Sequence, residues 1–470
     1  MHSTRLAPEI ICNIFQHLSS PLPVHEAYNF PWYLGHICSE WREIFLSMQL
    51  YFWNELIIES PEAQWEDSAS NMPSSSDEVL EDSDIGQNPA RTMAILSFFL
   101  DTTRGAPFSF TLYGKEPYTK EDATYVRPIF EKLLHHSVQW QNVTMQLRQP
   151  EFQALRNIKG RLPMLRTLSC MVQGFNVVVY NKPGGPFFSN LCTVFEDAPL
   201  LTNIELASLT FRFNWTSLTS IHLHSFDGEG VISALRQTVN LETFTVDEVL
   251  YNDQVNAEGT EIIRLPRLRY LSIHGVLLLT FLEAPALKEL KIKFEDESGP
   301  DMEEALEESE LASRTIAFFL RSRCELSKFS SESLESPALT DILTHMPDIH
   351  ELSLEVTHLP GISGVFEWLG GSELPLRNLK VLSIFSFFED NELKPVQEMM
   401  ARRNPMVGTL GAGPKELHMD LNGLPRSETT VLKSLESLCE DRGIRFAFDT
   451  WEEGMFTVTE TGVYLSKSSW

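Results

Sequence analysis

The chain has 470 residues, and 43% of them are apolar, which is enough to fill a sizeable core and excludes a chain that is disordered throughout. A formal net charge of −28 argues against nucleic-acid binding through a basic patch, and no apolar run approaches the length of a membrane-spanning helix. The six cysteines show no Cys-x-x-Cys spacing, which is typical of reduced thiols inside cells, so we expect a cytoplasmic or nuclear location.

Two short apolar stripes at helical spacing open the chain. Pro8 and Glu9 fit the first turn of a helix, where proline loses no hydrogen bond and a carboxylate faces the positive end of the dipole. The stripes comprise Ile10, Ile11, Ile14, Phe15 and Leu18, and then Leu34, Ile37, Cys38, Trp41, Ile44 and Phe45. Helices this short cannot bury two apolar faces alone, so another surface must cover them.

This stretch resembles an F-box domain. The family's pattern has a Leu-Pro-x-Glu-Ile-like start, an Ile-Phe pair, and a Cys-x-x-Trp-Arg helix followed by a tryptophan. The matching residues here are Leu6-Ala7-Pro8-Glu9-Ile10, Ile14-Phe15, Ile37-Cys38-Ser39-Glu40-Trp41-Arg42 and Trp53. The stretch from Pro31 to Gly35 is similar to a variant common in basidiomycete F-box proteins. Ala7 stands where proline is frequent, and the long loop from Ser19 to Tyr33 leaves the angle between the helices open.

The resemblance implies that residues 3–55 bind a Skp-type adaptor, which hangs from a cullin scaffold that carries a RING subunit. The adaptor contacts that we predict are Leu6, Pro8, Ile10, Ile11, Phe15, Ile37, Cys38 and Trp41. The alternative is that these helices pack on the rest of the chain as an N-terminal cap.

Most of the negative charge lies in two segments. Residues 59–84 hold nine acids and residues 295–310 hold nine more, with no lysine or arginine in either. The first segment is also rich in serine, so we predict that residues 56–92 form a disordered linker. The second reads as an acidic insertion in the domain that follows.

Residues 93–470 carry an irregular repeat, in which a six-residue phrase has apolar side chains at its first, fourth and sixth positions. Clear copies begin at Leu165, Leu201, Leu218, Leu241, Leu268, Leu287, Ile349 and Leu379, and weaker ones begin at Trp140, Leu326 and Leu417. This is the strand phrase of a leucine-rich repeat, and helical patterns fall between the copies. The sequence therefore predicts an α/β solenoid with a parallel sheet on its concave face and an atypical N-terminal capping segment from residue 93.

A doubly wound α/β domain is the competing fold, because it also alternates strands and helices. Its central strands are buried on both faces and read as continuous apolar runs, whereas these strands keep alternating apolar and polar residues. The polar positions of the phrases form a protein-binding face in the predicted solenoid. From that face we select Tyr270, His222, Glu205 and Lys291 as target contacts.

His222-Leu223-His224 would place two imidazoles on one strand face, with Asp227 and Glu229 nearby. No third ligand stands at a defined spacing, so we predict no metal site there, and exposed alternating polar residues explain the pattern. No catalytic or cofactor-binding motif stands out. Together with the solenoid, the F-box resemblance implies a non-catalytic substrate receptor of a cullin-based ubiquitin ligase without cofactors. A non-degradative interaction scaffold is the alternative, and an α/β hydrolase or transferase is a third possibility.

Overall fold

The computed structural model describes residues 7–18, 22–23, 36–48, 55–59, 89–103, 105–113, 120–172, 193–207, 211–250, 261–293, 308–332, 334, 336–373, 375–387, 393–403, 413–422 and 430–451. The chain divides into two compact units, Met1–His224 and Ser225–Trp470.

The first unit combines helices with parallel strands. Its helices are α1 (Pro8–Leu18), α2 (Ser39–Ser47), α3 (Pro89–Thr103), α4 (Lys120–His135) and α5 (Gln149–Ala154). Its strands are β1 (Leu22–Pro23), β2 (Glu55–Glu59), β3 (Phe108–Tyr113), β4 (Trp140–Leu147), β5 (Thr167–Val172), β6 (Asn203–Leu206) and β7 (Ser220–Asp227), the last of which ends just past the boundary.

From β1 to β7, each described strand of the first unit pairs in parallel with its neighbours in the chain. The register aligns one buried apolar residue from each of six strands, and these residues are Leu56, Phe110, Val143, Leu168, Ile204 and Ile221. Because side chains alternate across a strand, the intervening polar residues project from the other face. The apolar positions of the phrase therefore build the core of this unit.

The described part of the predicted capping segment contains α3, β3 and α4, and β3 pairs in parallel with β2 and β4. Trp140 opens β4 with no exposed surface, and its indole Nε1 donates to the backbone oxygen of Leu133 in α4 at 3.1 Å. The ring of Phe110 meets it edge-on with centroids 5.0 Å apart. Phe98 on α3, by contrast, is 47% exposed. Helix α4 is thus fixed to the sheet by one large buried side chain.

The predicted boundaries of the acidic linker need correction at both ends. Glu55–Glu59 forms a strand between β1 and β3, and Pro89–Thr103 forms a helix whose Thr92 is buried. Residues 60–88, which make up most of the predicted linker, lie outside the described residues. The short strand Leu22–Pro23 also carries the sheet into the predicted F-box domain. The acidic run that starts at Glu59 obscures the apolar alternation of Leu56 and Ile58 in the sequence.

The second unit contains the remaining elements. Its helices are α6 (Gly228–Leu235), α7 (Glu308–Ser322), α8 (Ser336–Thr344), α9 (Ser363–Leu369), α10 (Lys394–Arg403) and α11 (Thr430–Asp441). Its strands are β8 (Thr243–Leu250), β9 (Ile263–Arg264), β10 (Tyr270–His274), β11 (Leu282–Glu283), β12 (Glu289–Lys293), β13 (Lys328–Glu332), β14 (Glu351–His358), β15 (Val381–Phe387), β16 (Glu416–Asn422) and β17 (Arg445–Trp451).

The main sheet of the second unit is also parallel and follows the order of the chain, from β8 through β10 and β12 to β17. Strands β9 and β11 form a separate parallel pair. One apolar row again crosses the strands in register, with Phe244, Leu271, Leu290, Phe329, Leu352, Leu382 and Leu417 all buried. The helices predicted between the phrases correspond to α6, α7, α8, α10 and α11.

The fold of each unit is mixed α/β with a parallel sheet, and its strand order is that of a solenoid-like repeat. A doubly wound sheet reverses its strand order at a switch point, and the described strands of neither unit do so. Of the acidic insertion at 295–310, only the residues from Glu308 onward are described, and they open α7. In the part of the chain that the structure describes, no helix has the length and apolar character needed to cross a bilayer.

Candidate functional site

Helices α1 and α2 pack on one another through aromatic rings. The ring of Phe15 lies edge-on to Trp41, with centroids 5.4 Å apart, and edge-on to Phe45, with centroids 5.9 Å apart. Ile11, Phe15 and Phe45 are buried. These residues of the two predicted apolar stripes therefore pack inside the protein, where they hold α1 and α2 together.

The outer half of the stripes faces solvent. Ile10 is 48% exposed and Ile37 is 55% exposed, and Pro8 and Cys38 are exposed beside them, while Trp41 is half-buried. We call Pro8, Ile10, Ile37, Cys38 and Trp41 the helical-pair surface. Its two isoleucines give it an apolar character that solvent does not favour.

The predicted adaptor contacts thus fall into two groups. Ile11 and Phe15 are covered in this arrangement, so they support the helix pair, and the other described residues form the helical-pair surface. Leu6 lies outside the described residues. The helical spacing identified both groups but did not separate them, because which side of each helix meets the other depends on the angle between the helices.

The predicted target contacts of the first unit meet on neighbouring strands. The register of β6 and β7 places Glu205 directly beside His222, and His224 lies two residues further along the same strand face. Oε1 of Glu205 lies 3.0 Å from Nε2 of His224 and 3.6 Å from Nδ1 of His222. The two imidazole rings are 4.4 Å apart between centroids. We call these three residues the Glu205 cluster.

The environment of Glu205 favours its ionised form. The hydrogen bond from His224 lowers the pKa of the carboxyl group most, the Ser169 hydroxyl and the charge of the two histidines act in the same direction, and partial burial opposes them. Ser169 is buried and aligned with Glu205 on the neighbouring strand β5. The carboxylate is therefore held by contacts from strands on both sides.

The predicted target contacts of the second unit lie on β10 and β12. Nζ of Lys291 lies 2.7 Å from Oε1 of Glu332, and Nζ of Lys293 lies 3.8 Å from Oε2 of the same glutamate. Tyr270 is half-buried and stands in register with Glu289, whose carboxylate pairs with Lys328 at 2.8 Å. Oppositely charged side chains thus pair across β12 and β13, a pattern that suits a polar protein partner more than a small apolar ligand.

Sequence reasoning missed that Glu205 is a neighbour of both histidines. The acidic residues near His222 in the chain are Asp227 and Glu229, whereas Glu205 is 17 residues away in sequence. The signal was nevertheless present in the repeat, because Glu205 and His222 occupy the same fifth position of consecutive phrases. In a parallel sheet that keeps the phrases in register, equal phrase positions become neighbours.

Two half-buried or buried thiols are poorly suited to nucleophilic chemistry. Burial raises the pKa of Cys324 and of Cys439 to about 11, and the thiolate is the reactive form of cysteine.

The Glu205 cluster offers two imidazole nitrogens and a carboxylate oxygen within 4.8 Å of one another, an arrangement that can hold a metal ion.

No protein-family model matches this chain, and no curated protein is significantly similar to it.

Proposed function

We propose that this chain is a substrate-receptor subunit of a cullin-based ubiquitin ligase. The helical-pair surface binds a Skp-type adaptor, and the polar strand faces of a leucine-rich-repeat-like solenoid bind the target protein. The observation that carries the proposal is the exposure of Ile10 and Ile37 beside the Cys-x-x-Trp-Arg sequence that resembles an F-box.

The exposed isoleucines support adaptor binding on energetic grounds. Fully burying one isoleucine contributes roughly 1.5–3 kcal/mol, and Ile10 and Ile37 still have about half of their surface to bury. Their neighbours Pro8 and Cys38 add apolar area without a charge that must be desolvated. Because Phe15 already fixes α1 to α2, a partner meets a preformed surface and orders few side chains on binding.

The receptor has no chemistry of its own in this proposal. It holds a lysine of the target close to a charged ubiquitin-conjugating enzyme, which replaces a rare encounter in solution by a local one. The sequential parallel strands support this role, because they present a long row of polar side chains over a continuous apolar core.

The test is co-purification of the full chain with a Skp-type adaptor after the change Ile37→Asp. A carboxylate at this position would be desolvated on binding, so we expect the affinity to fall at least about tenfold. Val239→Asp is the matched control, since Val239 is 54% exposed, close to the 55% of Ile37, and lies in the second unit. The control should bind as the unchanged chain does.

Ile10→Asp provides an independent variant on the other helix of the pair. Both isoleucines are exposed, so neither change should unfold the helix pair, whereas Trp41→Ala would remove the ring that packs on Phe15. Adaptor binding that persists undiminished in both aspartate variants would show that this surface is not the docking site.

A non-degradative scaffold, in which the helices serve as a cap, has one observation in its favour. The strand Leu22–Pro23, which lies between α1 and α2 in the chain, pairs with Glu55–Glu59 and so joins this region to the sheet. A reconstituted reaction with adaptor, cullin, RING subunit and charged conjugating enzyme separates the two functions. Ubiquitin chains on a captured partner support the receptor, and their absence despite adaptor binding supports the scaffold.

A further inference from the structure

The Glu205 cluster has the composition of a metal site. It contributes two imidazoles and one carboxylate from adjacent strands, and each of the three side chains is about one-third exposed, between 30% and 37%. An ion from solvent can therefore reach all three. Imidazole and carboxylate ligands in this ratio are the protein ligands of many zinc sites that keep one position open.

We propose that Glu205, His222 and His224 bind a divalent transition-metal ion, with Zn²⁺ as the preferred ion. A carboxylate with two imidazoles suits zinc and its neighbours in the first transition row, whereas Ca²⁺ and Mg²⁺ prefer sites made of oxygen ligands alone.

The spacing of the ligand atoms fits an ion of this kind. Ligands about 2.0–2.1 Å from a tetrahedral ion lie about 3.3 Å from one another. Oε1 of Glu205 lies 3.0 Å from one imidazole nitrogen and 3.6 Å from the other, on either side of that value. All three ligand atoms lie within 4.8 Å of one another, so small side-chain rotations bring them to one centre.

The backbone makes this site rigid. His222 and His224 share a strand face because they are two residues apart, and the register of β6 with β7 fixes Glu205 beside them. The hydroxyl of Ser169 on β5 hydrogen-bonds the carboxylate from the other side and orients it. Contacts of this kind to a ligand typically raise metal affinity.

A second glutamate–histidine pair in the protein shows what the Glu205 cluster adds. On β16, Nε2 of His418 lies 3.2 Å from the carboxylate of Glu416, and both side chains are exposed to a similar degree as those of the cluster. That pair arises within one strand, and the residues in register with Glu416 on the two neighbouring strands are Val381 and Arg445. The Glu416–His418 pair is therefore an internal control with a single imidazole.

The experiment is a titration of the tag-free full chain, stripped of metal by a chelator, first with Co²⁺ and then with Zn²⁺. Cobalt bound by these ligands in tetrahedral geometry gives visible absorption bands, and zinc should displace it at a stoichiometry of one per chain. His224→Ala should weaken binding at least about 100-fold, more than the loss of an outer contact does. Glu205→Gln should also weaken it, while His418→Ala should leave it unchanged.

Circular dichroism and thermal unfolding of each variant confirm that the sheet is retained. Absence of saturable binding at one equivalent, or equal binding by the chain and its His224→Ala variant, would overturn the proposal. Because the cluster is distant in sequence from the helical-pair surface, adaptor binding by these variants is an independent readout. Loss of metal with adaptor binding retained leaves the proposed receptor function unaffected.

Discussion

Arg403 shows how one charged residue can organise buried backbone. It is completely buried at the end of α10, and burial lowers the pKa of its guanidinium to about 10. The guanidinium donates to the backbone oxygens of Leu369 at 2.8 Å, Pro375 at 2.6 Å and Leu376 at 2.8 Å. Leu369 ends α9, where carbonyl groups lack partners in the helix, so the cation also faces the negative end of a helix dipole.

We predict that Arg403→Met lowers the free energy of unfolding by about 3–5 kcal/mol. The change leaves three inward-facing carbonyls without this donor, at about 1–3 kcal/mol each, with partial relief from rearrangement. It also frees Leu376, a buried residue in the left-handed backbone region at φ 51°. Urea denaturation measures the effect.

The neighbouring Arg402 is the matched control for this change. Its side chain is 57% exposed and pairs with Glu398 across one helical turn. Arg402→Met should therefore alter stability by no more than about 0.5 kcal/mol. Equal effects of the two substitutions would contradict the role that we give to the buried guanidinium.

At the scale of the strand, the charged residues of β12, β13 and β14 form a coupled set. Partial burial raises the pKa of Glu355, and a hydrogen bond and charge repulsion from Glu332 add to this, while Lys291 and Lys293 oppose it. The residues meet because Lys293, Glu332 and Glu355 stand in register across three strands. Ionisation of Glu355 is therefore less favourable in the folded protein than in the unfolded chain.

This coupling predicts a pH-dependent effect of Glu355→Gln. The pKa of Glu355 in the folded protein is above the ordinary value of 4.5. The wild-type chain therefore loses stability as the pH rises from 4.5 through the pKa of the folded protein. The variant should be more stable near pH 7, by at most about 0.5 kcal/mol because Glu355 keeps substantial contact with solvent, and the gain should vanish below about pH 4. Urea unfolding at both pH values is the measurement, and a variant that is less stable near pH 7 would contradict the assignment.

The strands were largely predictable from the sequence, and the reasons are local. In the phrases that begin at Leu165, Leu201 and Leu379, the fourth and sixth positions are buried and the fifth is not part of the apolar core. The phrase pattern does not predict strand β17, because Phe446 and Phe448 alternate without the leucine or isoleucine that opens the clear copies. Arg403 could not be foreseen, since its partners are carbonyl oxygens at a distance of 27 residues or more.

At the scale of the whole molecule, the net charge of −28 and the apolar helical-pair surface predict opposite effects of salt on the affinity for the adaptor. If charge steering dominates, salt will change the affinity strongly; if Ile10 and Ile37 dominate, it will not. We expect the second, with less than about a threefold change in affinity between about 0.15 M and 0.5 M NaCl, and a negative heat-capacity change on binding. Calorimetry of the complex measures both, and a steep loss of affinity in salt would contradict apolar docking.

The pairing of Leu22–Pro23 with Glu55–Glu59 has a mechanical consequence. The Cα atoms of Leu18, at the end of α1, and Leu22 are four residues apart, so they can be separated by no more than about 14 Å. The strand pairing therefore holds the end of α1 within a short distance of the sheet. A partner bound to this helix therefore has little freedom to move relative to the strands of the same unit. That restriction limits which parts of a second protein, bound to those strands, the first partner can reach.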